Sequence, residues 1–214
     1  MNLFDNDDRD SALAWLSKLG SVSPDACDKF EQFLTSLAAE NSRQNLVAQG
    51  TLPFAWTRHV VDSVQLISHV PRETSETWLD LGTGAGFPGL VCAIVMPQTK
   101  FTLVEQRPLR TAWLEEQADA LDLQNVTIKP ANLSALEVES FDVISARAFA
   151  PLPRLLKLSA AFSTNATTWV LPKGRSASQE LLDLKGWQHM FHVEQSVTDP
   201  QSGIITGRLL GRVG

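Results

Sequence analysis

The sequence predicts an α/β fold: a mostly parallel seven-stranded sheet with helices on both faces, preceded by an N-terminal helical extension. Three observations carry this expectation. From Thr77 onward, short apolar runs alternate with helical stretches, the pattern of strand–helix–strand units. A glycine-rich loop follows the first of those runs and opens a helix. The last part of the chain holds two longer runs joined by a turn-rich stretch, which reads as a closing hairpin. Bulk composition agrees, because 43% hydrophobic and 20% charged residues in 214 support a packed core of ordinary size. The expected organisation is a helical extension over residues 1–70 and a core over 71–214, together one compact unit.

The first part reads as helical. Ser23-Pro24-Asp25 is a helix start: a capping hydroxyl, proline at the first helical position, then an acid favoured by the helix dipole. Cys27, Phe30, Phe33, Leu34, Leu37 and Ala38 follow at three-and-four spacing as one apolar stripe. Asn41 to Gln49 is polar and is expected to be a loop. Trp56 to Val70 reads as another helix, with Val60, Val64 and Ile67 on one side and Pro71 at its end.

The period then changes. The expected elements are a strand over Thr77–Leu81, a helix over Gly86–Met96, a strand over Phe101–Glu105 and a helix over Arg107–Leu121. Strands over Val126–Lys129 and Phe141–Ser145, a helix over Pro151–Phe162 and a strand over Thr168–Leu171 follow. Trp187–Gln195 and Gly203–Leu210 form the two arms of the hairpin, with Asp199-Pro200-Gln201-Ser202-Gly203 in its turn.

Several function classes are disfavoured. The net charge of -6 argues against coating nucleic acid by bulk charge, although a local basic face stays compatible with it. Cys27 and Cys92 are far apart, neither sits in a C-x-x-C pair, and the four histidines supply no ligand spacing, so no metal site is expected. Met1 to Asp10 is acidic and lacks the pattern of a secretory leader, and no run approaches the roughly 18 apolar residues of a membrane span. The expectation is a cytoplasmic chain with no membrane partner, active as a monomer.

The chemistry concentrates in Leu79-Asp80-Leu81-Gly82-Thr83-Gly84-Ala85-Gly86-Phe87-Pro88-Gly89. In open α/β sheets, ligands bind beyond the carboxyl ends of the strands, and glycines let backbone approach them. Counted from Gly82, the spacing puts Phe87 where a dinucleotide fingerprint wants its third glycine, and no Gly-Lys-Ser/Thr follows as in a P-loop. Asp80 before Gly82, Thr83, Gly84 and Gly86 resembles the first motif of class I methyltransferases, which implies S-adenosylmethionine as cofactor. Glu105, at the end of the next strand, can accept both ribose hydroxyl protons. The plain alternative is a structural turn with a surface Glu, which the strand–loop–helix context disfavours.

The acceptor is narrowed by what is missing. Enzymes of exocyclic amines carry an Asn/Asp-Pro-Pro-aromatic motif after the fourth strand, where this chain has Ile144-Ser145-Ala146-Arg147-Ala148-Phe149. Enzymes that attack ring carbon need a nucleophilic cysteine. Cys92, among Leu90, Val91, Ala93 and Ile94, and Cys27, on its apolar stripe, both read as small buried hydrophobes. A ring nitrogen such as guanine N7 has a free lone pair and needs neither nucleophile nor general base. Between Val143 and Arg175 stand Arg147, Arg154, Lys157, Lys173 and Arg175, with no Asp or Glu, in an otherwise acidic protein. A solvated helix face explains Arg154 and Lys157; Arg147 and Lys173 sit at strand ends, where a polyanion can be gripped.

Asn45-Leu46-Val47, Arg58-His59-Val60-Val61-Asp62-Ser63, the Gly-Phe-Pro-Gly end of the loop, Ser145-Ala146-Arg147-Ala148-Phe149 and Leu171-Pro172-Lys173-Gly174 complete a wider resemblance. With these motifs the chain resembles the bacterial 16S rRNA guanine-N7 methyltransferases of the RsmG (GidB) type, from Asn45 to about Gly174. The resemblance implies that Gly82 and Phe87 line the cofactor, that Arg147 lies in the same site, and that Asn132-Leu133-Ser134 contact the cofactor. Relatives have an Arg-x-Glu-Glu-like stretch at that last position, so backbone rather than side-chain contacts are expected there. It implies 16S rRNA or the small ribosomal particle as partner, met by Arg58, His59, Arg147, Lys173 and Arg175. His59, Arg147 and Lys173 are the candidates for a catalytic role. A lone His on a helix is more often packed or capping; next to Arg58 and Asp62 it can instead orient the base or a phosphate, without transferring a proton. Three readings stay open: the rRNA enzyme, a class I methyltransferase for another RNA or a small molecule, and a non-catalytic cofactor-binding module or NAD-type oxidoreductase.

Overall fold

The computed structural model describes residues 4–71 and 75–213; the outer ends of the two ranges 1–70 and 71–214, the start of the acidic N-terminal stretch, and residues 72–74 lie outside it. Two helices open the chain, α1 (Asn6–Lys18) and α2 (Pro24–Gln44). Ser23 caps α2 as its sequence predicts, its side chain accepting from the Ala26 amide with Pro24 in the first turn. Residues 56–69 form an irregular helix. It has a wide π-type segment over Trp56–Val61, one α-turn, α3 (Asp62–Val64), and a tight 3-10 segment over Gln65–His69.

The alternating region contains β1 (Thr77–Leu81), α4 (Gly89–Val95), β2 (Lys100–Val104), α5 (Pro108–Ala120) and β3 (Val126–Lys129). Then come β4 (Val143–Ser145), α6 (Leu152–Ser159), β5 (Thr168–Gly174) and α7 (Ala177–Leu182). The chain closes with β6 (Trp187–His189), β7 (His192–Gln195), β8 (Gly203–Gly207) and β9 (Leu209–Arg212). The main sheet has seven strands in the order β3-β2-β1-β4-β5-β8-β7. The first five run parallel, and β8 and β7 add antiparallel strands at one edge. The strand order reverses direction between β1 and β4, which is where open α/β sheets form their ligand crevice.

Strand residues alternate between two buried clusters, as a sheet covered on both faces requires. Trp78, Phe101 and Leu103 pack with Phe30, Phe33, Leu37, Trp56, Val60, Phe87 and Trp113 on one face. Leu79, Leu81, Ile144, Trp169, Leu171 and Ile205 pack with Leu155, Leu156 and Phe191 on the other. The first cluster is continuous from Ala12 and Leu16 of α1 through the sheet.

Several expectations need correction. The polar stretch from Asn41 is not all loop, because α2 continues to Gln44 and ends on Asn45 in the left-handed conformation, φ 45°. Asn41 is buried and its Oδ1 accepts from the Val47 amide at 2.8 Å, so its polarity serves the chain that leaves the helix. Trp187–Gln195 is two strands rather than one: β6 pairs with β9 in a separate two-stranded sheet, and β7 pairs with β8. The break lies at Met190 and Phe191, where the Phe191 amide donates to His189 Nδ1 instead of to a ladder. The run Gly203–Leu210 likewise splits between β8 and β9 at Gly207, φ 130°. The helix expected from Gly86 starts only at Gly89, after a series of turns, and α7 has no counterpart among the expected elements.

Candidate functional site

The loop after β1 is built from left-handed glycines. Gly82, Gly84 and Gly86 have φ of 64°, 61° and 106°, a region that disfavours any Cβ. The Thr83 amide donates to Val104 O at 3.2 Å, and the Gly86 and Phe87 amides donate to Thr83 O, which folds the loop over the ends of β1 and β2. Asp80 lies beneath this loop and is fully buried. Its Oδ1 accepts from Ser145 Oγ at 2.6 Å and its Oδ2 from the Gly89 amide at 3.1 Å, while Ser145 Oγ accepts from Trp78 Nε1 at 2.8 Å. Burial pushes the Asp80 carboxyl above its ordinary value, and the Ser145 and Gly89 hydrogen bonds pull it back down. Asp80 therefore shapes the loop from below. A Cβ on Gly89 would stand 2.8 Å from both Asp80 Oδ2 and Leu103, so Gly89 is the glycine that packs helix against strand. Counting from Gly82 missed this: Gly84-Ala85-Gly86-Phe87-Pro88-Gly89 satisfies the G-x-G-x-x-G frame, and spacing alone does not separate the two cofactor classes.

Two adjoining clefts open at this edge of the sheet. The smaller, about 330 Å³, is lined by Gly82, Glu105, Asn132, Leu133 and Phe149 among others. Glu105 is held by its own backbone: Oε1 accepts from the Gln106 and Arg107 amides at 2.8 and 2.9 Å, and Oε2 stands 4.0 Å from Arg110 Nη1. Asn132 Oδ1 accepts from the Ser134 amide, which caps the short turn over Leu133–Ala135. The bare backbone of Gly82, an oriented carboxylate and the apolar Leu133 fit an adenosine-bearing cofactor. Ser134, Thr83, Gly84, Gly86, Phe87 and Arg147 are not in this lining.

The larger cleft, about 730 Å³, is lined by Arg58, His59, Asp62, Arg147, Phe149 and Lys173 with the turn after β7. Arg147 Nη1 reaches Arg58 O at 3.5 Å, His59 Nδ1 at 3.4 Å and Asp62 Oδ2 at 3.5 Å. Its guanidinium lies 4.8 Å over the Phe87 ring, and the His59 ring stacks on Phe87 at 4.8 Å. Sequence-distant Phe87, His59 and Arg147 thus form one cluster.

Arginine can only donate, so His59 Nδ1 accepts and its proton sits on Nε2. Nε2 then donates to Thr51 Oγ1 at 2.9 Å, and the Thr51 hydroxyl donates to Ala48 O at 2.7 Å. Burial, then the Arg147 and Arg58 charges, lower the His59 pKa to about 3. His59 is neutral with both nitrogens engaged, an arrangement that orients Arg147 rather than moving protons. Thr51 and Phe149 enter the site without having been singled out; an aromatic after the fourth strand was the available signal for Phe149.

The segment joining the clefts is strained. Ala148 has φ 52°, which costs about 1–2 kcal/mol for an L-residue. Ala148, Phe149 and Ala150 line both clefts. A Cβ on Gly82 would stand 2.5 Å from Phe149 Cδ2, so the ring closes directly over the first glycine. Lys173 is not a free cation: its side chain is 8% exposed, with Nζ 2.6 Å from Ala150 O and 2.9 Å from Glu180 Oε2. Arg175 is exposed and outside both cleft linings, and Arg154 is exposed on the smaller cleft. Cys92 is buried with its thiol facing Ser63 O, as its apolar neighbours predict. Among the described residues no cluster of three or more His, Cys, Asp or Glu is placed to hold a metal, and no helix is long and apolar enough to cross a membrane.

A family model described as rRNA small subunit methyltransferase G (GidB) matches residues 26–202. The chain is 55% identical over 202 residues to the ribosomal RNA small subunit methyltransferase G of Novosphingobium aromaticivorans, covering 93% of this chain and 87% of that one. It is 43% identical over 205 residues to the protein of the same name from Zymomonas mobilis, covering 92% of each. Among solved structures, the mitomycin 7-O-methyltransferase MmcR matches with a TM-score of 0.60 at 14% identity, over 87% of this chain and 69% of that one. That likeness concerns the fold alone.

Proposed function

Since the chain belongs to the rRNA small subunit methyltransferase G family, we propose that it transfers a methyl group from S-adenosylmethionine to N7 of a guanine in 16S rRNA of the small ribosomal subunit. The observation that carries the reading is the pair of adjoining clefts, one suited to a nucleoside cofactor and one lined by Arg58, His59 and Arg147. S-adenosylmethionine supplies, when bound, an electrophilic sulfonium methyl. In this reading Gly82 offers backbone to it, Glu105 takes the ribose hydroxyls, and Asn132 and Leu133 border its base, while Thr83, Gly84 and Gly86 shape the loop and the Ser134 amide holds Asn132. Asp80 acts from beneath the loop, and Phe87 supports Arg147 at the junction.

Arg58, Arg147, His59 and the outlying Arg175 face the RNA. N7 attacks with its own lone pair, so a neutral His59 without a proton to give or take is consistent with the chemistry. Methylation leaves the guanine cationic, and Asp199 in the larger cleft supplies the opposite sign, Asp62 and Glu180 being paired with Arg147 and Lys173. The protein acts as a monomer in the cytoplasm, without a metal. Methyl transfer to naked 16S rRNA and to small-subunit particles from a strain lacking the gene, mapped by N7-specific strand cleavage, tests the reading. Incorporation at one guanine is expected; none in either substrate would refute it.

A further inference from the structure

We propose that Lys173 and Glu180 form a positioning pair that holds the Phe149-bearing segment 147–151 between the cofactor and acceptor clefts. The inference rests on the methyl-transfer reading above and gives Lys173 a role other than gripping RNA.

The geometry is reciprocal. Lys173 Nζ donates to Ala150 O at 2.6 Å, and the same ammonium pairs with Glu180 Oε2 at 2.9 Å. Glu180 Oε2 accepts from the Leu152 amide at 2.7 Å, while Glu180 Oε1 lies 2.7 Å from Ser176 Oγ. The two side chains therefore hold the carbonyl of residue 150 and the amide of residue 152. These are the backbone groups on the far side of left-handed Ala148. On the near side, Arg147 is held by Arg58 O, His59 and Asp62. A strained residue persists only where its surroundings over-determine it. Here both flanks are tied, and what they present is the Phe149 ring against Gly82.

A phosphate ligand would need the opposite design. Lys173, its side chain 8% exposed, already spends two of its ammonium's three donors on a carboxylate and a carbonyl. Its charge is already compensated, so it adds little to the field an RNA meets.

The test uses the full chain and two binding readouts. S-adenosylmethionine affinity is measured by calorimetry, and affinity for 16S rRNA without cofactor is measured against salt. Lys173→Met and Glu180→Gln should each weaken cofactor binding about tenfold, and the double variant should be no weaker than the worse single. The RNA salt slope should not move. Lys173→Arg, which keeps the charge and donors, should recover to within about threefold. Lys173→Met/Glu180→Leu replaces a buried pair by apolar groups and should fold as the wild type does. It lacks the bonds to Ala150 and Leu152, so its cofactor affinity should stay low.

Wild-type affinity in that apolar double would overturn the proposal. So would a salt slope lowered by about one in Lys173→Met together with tighter RNA binding in Glu180→Gln, the signature of a direct phosphate contact. Failure of the wild type to methylate RNA would sink the substrate reading alone, leaving the cofactor affinities to decide the pair.

Discussion

At the scale of single residues, the site depends on groups whose state is set by neighbours far away in sequence. His59 is 6% exposed and has its pKa lowered to about 3 from 6.5, first by burial and then by Arg147 and Arg58. The unfolded chain takes up this proton more readily, so the contribution is fully present above pH 6.5 and is lost as pH falls toward 3. The loss amounts to at most roughly 4–5 kcal/mol. Urea unfolding across that range should show it, and His59→Gln should flatten that part of the curve; an unchanged slope would refute the assignment. Gly82→Ala places a Cβ against Phe149 at a positive φ, and calorimetry should record a loss of S-adenosylmethionine affinity of about tenfold or more. The sequence singles out His59, Phe87 and Arg147 as candidate site residues. Their stacking is not legible there, because it joins positions 59, 87 and 147 through three separate elements. Lys173 was legible as a cation and its neutralisation was not. Glu180 comes from α7, a short helix whose sequence announces no function.

At the scale of elements, local rules worked where a segment is decided by its own residues. Ser23 and Pro24 begin a helix by hydrogen bonding and fixed φ, with no distant partner required. They failed where a distant strand decides, as in the division of Trp187–Gln195 between two sheets. Asp142 shows how one side chain ties two strands. Its Oδ2 accepts from the Glu76 and Thr77 amides and from Thr77 Oγ1, each at 2.9 Å, just where β1 begins beside β4. Asp142→Ala leaves those donors unmet and should cost about 2–3 kcal/mol, read as a lower urea midpoint with an unchanged m-value. Asp142→Asn keeps an acceptor oxygen and should lose less.

At the scale of the molecule, the helical extension and the sheet share a core. Leu16 and Ala12 of α1 belong to the cluster that includes Trp56, Phe87 and Trp113. The α1 region also receives the Thr57 amide on Asp8, sends the Asp5 amide to Pro53 O, and lays Arg9 over Trp56. A chain beginning at Gly20 should lose about 3–5 kcal/mol and melt roughly 10 °C lower. Methyl transfer should suffer more than cofactor affinity, since the loosened segment carries Arg58 and His59; equal loss of both would contradict this. The sequence by itself determined the α/β class, the glycine-rich loop after the first strand and the family, because periodicity and a contiguous motif are local properties of the chain. Only the tertiary structure decided which glycine packs the helix, which protonation state His59 holds, and that Lys173 is spent on Ala150 and Glu180. Each of those depends on burial and on partners brought together across the sheet, and neither quantity is written in the order of residues.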